Sequence, residues 1–256
     1  MRCDVLTLLP APVEAYLSTG VLGRAAVRGT LDLRVHDLRR WAINRYGQVD
    51  DVPYGGGPGM VVLASVVVPA VRELVNAAPS GCRVVLPDPR GRRFTDTVAQ
   101  ELAHSERLVV VCGRYEGLDE RAHELLQADE ISLGDFVLSG GELAALAIVD
   151  AVARHVPGVV GDPGSVASDS FTSYLLDHPV YTRPPTFEGR SVPPVLASGH
   201  HERIRRWRLE QAVRLTLSRR PDLLNANWSR LPDEVRQLTV ETAAREKIDW
   251  QPPEGA

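Results

Sequence analysis

Lysine is almost missing from this chain: Lys247 stands alone among 29 basic residues, and the others are Arg. Cysteine is scarce as well. Cys3, Cys82 and Cys112 form an odd set without metal-ligand spacing, so they indicate neither a disulfide framework nor a zinc site and are expected to be buried thiols. Long apolar runs are absent, none approaching the roughly 20 residues of a membrane span. Asp4 interrupts the short apolar run at the N-terminus, which is not the pattern of a signal peptide, and a cytoplasmic address is expected. Net positive charge is also lacking. A formal charge of −4 argues against a protein that coats nucleic acid by charge alone, while permitting a local basic patch. There is no internal repeat or low-complexity tract.

What is present suits a soluble globular protein, with 44% hydrophobic and 24% charged residues. The 256 residues can bury a sizeable core in one large domain or two ordinary ones. Arg suits phosphate and base recognition, although a compositional bias that also enriches Ala and Val gives the same count.

The stretch 107–147, RLVVVCGRYEGLDERAHELLQADEISLGDFVLSGGELAALA, organises the chain. Apolar strand-like runs empty into Gly-bearing turns at Cys112-Gly113-Arg114-Tyr115-Glu116-Gly117 and Leu133-Gly134-Asp135, and Gly140-Gly141 then opens a helix. Glycines so placed let backbone approach a ligand closely. Around this stretch, short buried strands are expected at 3–9, 31–35, 83–86 and 108–112. Helices are expected from about 13, at 23–27, 63–77 and 95–104. Such alternation predicts an α/β domain with a mainly parallel sheet. Ligands collect outside the carboxyl ends of such strands, which puts Leu86-Pro87, 113–117 and 133–138 at one rim. The segment 37–53 is a polar loop rich in Arg, Asp and Asn, of a length that more often serves as a functional lid than as a passive connection. Tyr54-Gly55-Gly56-Gly57-Pro58-Gly59-Met60 is neither a P-loop nor a dinucleotide fingerprint.

Ser139-x-x-Glu142 matches a capping box. It predicts a helix from about 140 to 155 whose N-terminus would accept a carboxylate or phosphate. The small, Pro- and Gly-broken run PGVVGDPGSVASD (157–169) reads as a flexible linker between domains. Beyond it, a helix over 200–219 carries Arg203, Arg205, Arg206, Arg208, Arg214 and Arg219, followed by Arg220, against Glu202 and Glu210. That imbalance marks a basic face, with Trp207 on the same helix. A last helix over 233–247 completes a small all-helical second domain.

Several blocks together resemble the bacterial tRNA (guanine-N1)-methyltransferase family, TrmD. They are YGGGPGM (54–60), CGRYEGLDER (112–121), SLGDFVLSGGE (132–142), DSF (169–171), HPVYTRP (178–184) and PPVLASGHHERIRRWR (193–208), in family order and at family-like spacing. Departures are modest: Phe136 stands where Tyr is frequent, Ala144 where Pro is frequent, and His200 where Asn is common.

The resemblance implies a knotted α/β domain of the SPOUT methyltransferase class over 1–158, its deep trefoil knot forming the S-adenosylmethionine pocket. A linker over 159–170 and a helical tRNA-binding domain over 171–256 follow. It also implies a homodimer with each active site shared between subunits, and as substrate the guanine directly 3′ of the anticodon. Leu86, Gly113, Glu116, Leu133, Gly134, Asp135, Phe136, Val137, Leu138, Gly140 and Gly141 match its cofactor-binding loops, and magnesium is implied as a possible further cofactor, with Glu116 a candidate to hold it. Asp169 matches the catalytic base and Arg154 the cation for guanine O6. By themselves, Ser168-Asp169-Ser170 is good capping chemistry, and an Arg in the last turn of a helix suits its dipole. Arg203, Arg205 and Arg208 are candidates for phosphate contact. A SPOUT enzyme acting on another RNA, and a binding protein without transferase activity, remain as alternatives at this point.

Overall fold

The computed structural model describes residues 1–77, 81–161 and 169–253. The chain divides into two compact units, Met1–Pro163 and Gly164–Ala256. Most of the expected linker falls on 162–168, outside the described residues.

The first unit is built on a five-stranded sheet of β1 (Arg2–Thr7), β2 (Asp32–Asp37), β5 (Cys82–Arg93), β6 (Arg107–Val111) and β7 (Asp129–Ser132), in the order β2-β1-β6-β5-β7. Every pairing is parallel. The mainly parallel α/β sheet expected from the alternation of elements is thus present. All five residues of β6, Arg-Leu-Val-Val-Val, are buried, the near-continuous apolar run of a strand covered on both faces. Alternate residues feed two cores. Cys3, Val5, Leu108 and Val110 pack with α1 (Pro10–Leu17), α2 (Gly20–Val27), α4 (Asp96–Ala103) and α6 (Glu142–Arg154). Leu6, Leu86, Val109 and Val111 pack with α3 (Ala64–Asn76) and α5 (Glu120–Leu126). Helix α3 is rich in Val, a poor helix former, yet Val66, Val67 and Val71 are buried, so tertiary burial overrides propensity. Its Pro69 lies on the exposed face, where water can satisfy the carbonyl whose partner amide is missing.

A buried charge cluster lies toward the amino ends of β1 and β6. Asp4, fully buried, accepts from Arg107 Nε at 2.7 Å and from Arg2 at 2.8 and 2.9 Å, and its Oδ1 lies 2.7 Å from His36 Nε2. Burial by itself pushes the Asp4 carboxyl up, but hydrogen bonds from His36, Arg2 and Arg107 outweigh it and hold the group well below the usual carboxylate range. Cys3 and Cys112 are buried as expected, whereas Cys82 is only half-buried at the first position of β5.

The segment 37–53 is more ordered than its polar sequence predicts. A single 3-10 turn, Leu38–Trp41, leads to Asp50–Asp51 (β3), which pairs antiparallel with Val61–Val62 (β4). The expected capping box does not form. Helix α6 starts at Glu142 behind Gly141 with no side-chain cap, and the Glu142 carboxylate turns inward to accept from Thr7 Oγ1 at 2.8 Å. The helix start therefore carries its own buried carboxylate, and its dipole is already met by negative charge.

In the second unit, His201–Arg219 (α7), Pro221–Asn227 (α8) and Asp233–Glu246 (α9) enclose Leu175, Val213, Leu217, Leu224, Trp228 and Leu238. Thr216 Oγ1 accepts from Leu176 N at 2.9 Å and fastens that segment to α7. An all-helical reading needs one correction. Thr186–Phe187 (β8) pairs antiparallel with Arg190–Ser191 (β9) around Glu188 and Gly189, at φ 47° and 75°. Two consecutive left-handed residues are the turn that tight hairpins favour. Among the described residues no helix is long and apolar enough to cross a membrane.

Candidate active site

Three loops meet at the carboxyl ends of β5, β6 and β7, where a parallel sheet offers its ligand crevice. The first interrupts β5. Pro87 and Arg92 both pair with Ile131, so 88–91 are extruded from the ladder. Asp88 Oδ1 accepts from Arg90 N at 2.8 Å and Arg90 Nε at 3.1 Å, closing the extruded turn. The second loop follows β6 and bends at Tyr115 and Gly117, at φ 61° and 117°. The third runs from Leu133 to α6. It is stitched to the second by Gly141 N donating to Gly113 O at 2.8 Å and by a bridge between Arg114 and Gly140. A Cβ on Gly141 would stand 2.9 Å from Cys112 Cα, which explains glycine there in terms of close backbone approach.

Between these loops lies a cavity of about 190 Å³, many times the roughly 10–15 Å³ that a single water requires. Its wall includes Leu86, Gly113, Glu116, Leu133, Gly134, Phe136, Val137, Leu138, Gly140 and Gly141. Ten of the residues matched to cofactor loops are therefore brought together, while Asp135 is exposed and stands outside the wall. Phe136 and Val137 are more than half exposed, an apolar lip at the mouth.

Sequence reading placed Arg114 and Tyr115 at this rim, and both line the wall, but it missed two further polar wall residues, Asp88 and His123. Arg114 Nη1 approaches Glu142 Oε2 at 3.4 Å and so links the second loop to α6. His123 places Nδ1 2.7 Å from Glu130 Oε1 and Nε2 3.4 Å from Arg90 Nη2. A guanidinium can only donate, so His123 lies between the Arg90 donor and the Glu130 carboxylate acceptor. Burial pushes the Asp88 carboxyl up, but the Arg90 amide and guanidinium outweigh it and hold it below its ordinary value. The extruded turn thus presents a stable anion to the cavity.

Cys112, immediately before the second loop, is wholly buried and its thiol is pushed far up by desolvation. It is inert as a nucleophile. Among the described residues no three His, Cys, Asp or Glu side chains gather as metal ligands. Arg154 stands in the last turn of α6, exposed, whereas Gly140 and Gly141 at the other end line the cavity. At 1.5 Å per residue the helix separates the two by about 20 Å. Asp169 is half-buried in the second unit.

On α7, Arg203, Arg205 and Arg208 are all exposed. Arg205 is held by Glu234 at 3.0 Å and Glu202 at 3.2 Å, Arg206 by Glu210 at 3.3 Å and Arg214 by Glu246 at 2.9 Å. Arg203 and Arg208 have no carboxylate partner among the described residues, and Trp207 meets Tyr181 with ring centroids 6.2 Å apart.

Residues 1–226 match the family described as tRNA (Guanine-1)-methyltransferase TrmD. The chain belongs to the TrmD family. Its similarity to individual TrmD relatives runs through both units. A tRNA (guanine-N(1)-)-methyltransferase of Geobacter metallireducens is 50% identical over 224 residues, covering 88% of this chain and 91% of the relative. The protein of that name from Symbiobacterium thermophilum is 50% identical over 241 residues, 93% and 96% of the two chains. One from Geobacter sp. strain M21 is 47% identical over 249 residues, 97% and 99%. The TrmD match spans the cavity loops, Arg154, Asp169 and α7 alike.

Proposed function

We propose that this protein transfers the methyl group of S-adenosylmethionine to N1 of the guanine directly 3′ of the anticodon in tRNA. The observation that carries the reading is the glycine-backed cavity at the carboxyl ends of β5, β6 and β7, in a chain of the TrmD family.

The wall suits the donor. Backbone amides and carbonyls of 133–138 can read an adenine edge while Leu86, Leu133 and Leu138 cover its faces, the mostly apolar pocket with few polar anchors that small ligands use. When bound, S-adenosylmethionine supplies a methyl carbon on a sulfonium, whose C–S electron pair returns to sulfur as the new bond to N1 forms. The loops need only hold that carbon in line with N1. Guanine N1 carries a proton at neutral pH, so a base is required. Asp169 takes the proton, and Arg154 stabilises the negative charge that spreads to O6. No covalent enzyme intermediate is needed, in keeping with the inert Cys112.

Arg154 and the cavity occupy opposite ends of α6, so one chain cannot turn its own Arg154 into its own cavity. This supports the homodimer with shared active sites as part of the same proposal. The trefoil knot is proposed too, supported by β6 lying between β1 and β5 and by the tight passage of Gly141 against Cys112. The second unit, as a helical domain joined by a linker, would hold the tRNA through Arg203, Arg205 and Arg208, in the cytoplasm. Magnesium is held through one or two carboxylates and retained waters, and Glu116 in the cavity wall would supply one such ligand; no step is routed through the ion.

The test is incubation of the protein with labelled S-adenosylmethionine and two tRNA transcripts, one with guanine and one with adenine directly 3′ of the anticodon. Label on N1 of the guanine transcript alone is the expected result. Equal labelling of both, or none of either, overturns the reading.

A further inference from the structure

The segment 43–54 displays side chains that no catalytic role accounts for. Tyr46 is 78% exposed, Tyr54 is fully exposed, and Ile43 and Val52 are more than half exposed. Exposed aromatics on a surface loop cost solubility and contribute nothing to the core. Nor is the loop slack. Asn44 Oδ1 accepts from Tyr46 N at 3.0 Å and Gln48 N at 3.3 Å, Asn44 Nδ2 donates to Gln48 Oε1 at 2.8 Å, and Gly47 N closes the turn on Asn44 O at 3.1 Å. The Arg45 guanidinium lies 4.9 Å from the centre of the Tyr46 ring and donates to its hydroxyl at 2.7 Å. The ring is therefore held outward in one orientation.

This tip shares a frame with the cavity. Val49 is buried, and its carbonyl accepts from Leu63 N at 2.9 Å beside the β3–β4 ladder. That ladder docks on the second cavity loop: Val62 N donates to Gly117 O at 3.0 Å, and Glu116 N to Met60 O at 3.0 Å. At the turn itself, ahead of Asp50 and Asp51 on β3, the charge is basic. Arg40 and Arg45 have no carboxylate partner among the described residues, and the acidic residues nearest the tip, Asp37, Asp50 and Asp51, stand outside 38–49.

We infer that Tyr46, braced by Arg45, is a stacking platform for an unpaired nucleotide of the tRNA, placed by the β3–β4 ladder in register with the methyl-donor cavity. The inference rests on the proposed RNA substrate. An aromatic face beside a guanidinium is the pairing that grips single-stranded RNA, because every base offers a π-face and every nucleotide a phosphate. A protein partner would call for a larger apolar surface with fewer unpaired cations at its centre.

The experiment titrates a tRNA transcript into native protein, Tyr46→Ala and Tyr46→Trp, with calorimetric binding of S-adenosylhomocysteine measured for each. Tyr46→Ala is expected to weaken tRNA binding about tenfold, within the range for losing one stacked base. Tyr46→Trp should restore affinity to within about twofold, and cofactor-product binding should stay unchanged in both variants. Native-like tRNA affinity in Tyr46→Ala, as a tip serving a protein partner would give, overturns the inference, and so does failure of Trp to restore it. A native protein that binds tRNA without methylating it sinks the proposed function instead, so the two failures are distinct.

Discussion

The two ends of the central sheet solve opposite problems. Toward the amino ends, side chains do the holding: Asp4, Arg2, Arg107 and His36 converge in a buried network, and Arg107 is 2% exposed. At the carboxyl ends the backbone does it, through Gly113, Gly140 and Gly141. Buried charge is hard to satisfy and tolerates no vacancy, so the first arrangement fixes the fold. Glycine loops bury little and leave room for a ligand, so the second can carry chemistry. Damage to the first should appear as lost stability with intact catalysis, and damage to the second as the reverse.

The largest effect belongs to the chemical step. Asp169→Ala should lower single-turnover methyl transfer by a factor of about 10²–10⁴, the usual contribution of a positioned base, while thermal stability and S-adenosylhomocysteine binding remain native. Turnover near the native rate would remove Asp169 from the reaction. Arg154→Ala should slow the same step more than it weakens tRNA binding.

At the opposite end of the sheet, Asp4→Asn leaves the Arg107 guanidinium buried against a neutral amide. A loss of about 3–5 kcal/mol is expected from denaturant unfolding, with the turnover of the folded fraction unchanged. The pH dependence has a definite sign. Because the Asp4 carboxyl titrates lower in the folded chain than in the unfolded one, its stabilisation is present above the unfolded value of about 3.9 and disappears as pH falls through the folded value. Native protein should therefore lose stability below about pH 4, and Asp4→Asn should lack that component. Identical acid limbs for the two proteins would contradict the network's role.

The contrast between Gly140 and Gly141 sharpens the glycine end. A Cβ on Gly140 meets side-chain atoms of Arg114 and Glu142, at 2.5 Å from each, whereas one on Gly141 meets the Cys112 backbone at 2.9 Å. The Arg114 side chain, on a loop, can turn aside more readily than the Cys112 backbone can shift, even though Glu142 is held by Thr7. Gly141→Ala is expected to weaken S-adenosylhomocysteine binding by at least about tenfold, equivalent to about 1.4 kcal/mol, and Gly140→Ala by only a few-fold. Equal losses would mean that the stitching of the two loops does not shape the cavity.

Sequence made the glycine end legible, since glycines that follow apolar strands mark turns where backbone comes close to backbone or ligand. It could not show what depends on distant partners. Glu142 looked like a local cap to Ser139, but it bonds Thr7, 135 positions earlier. Asp4 looked like an interruption in an apolar run, and its partner Arg107 lies 103 positions away. The wall residue Asp88 was not legible because β5 resumes its pairing on the same Ile131 after extruding four residues. In the second unit the basic face of α7 was visible as composition, but not which of its charges are already paired.

That pairing gives the smallest and most discriminating test. Arg205 is held between Glu234 and Glu202, whereas Arg203 and Arg208 have no carboxylate partner among the described residues. Phosphate binding by Arg205 must compete with two carboxylates already in place. Charge reversal at Arg203 or Arg208 should weaken tRNA binding and reduce the slope of log affinity against log salt by about one unit for each phosphate that is no longer neutralised. Arg205→Gln should shift affinity by less than either, because it removes a cation already engaged by exposed, weakly stabilising ion pairs. If Arg205→Gln proves the most damaging of the three, the ion pairs break when tRNA arrives, and α7 binds by exchanging carboxylates for phosphates.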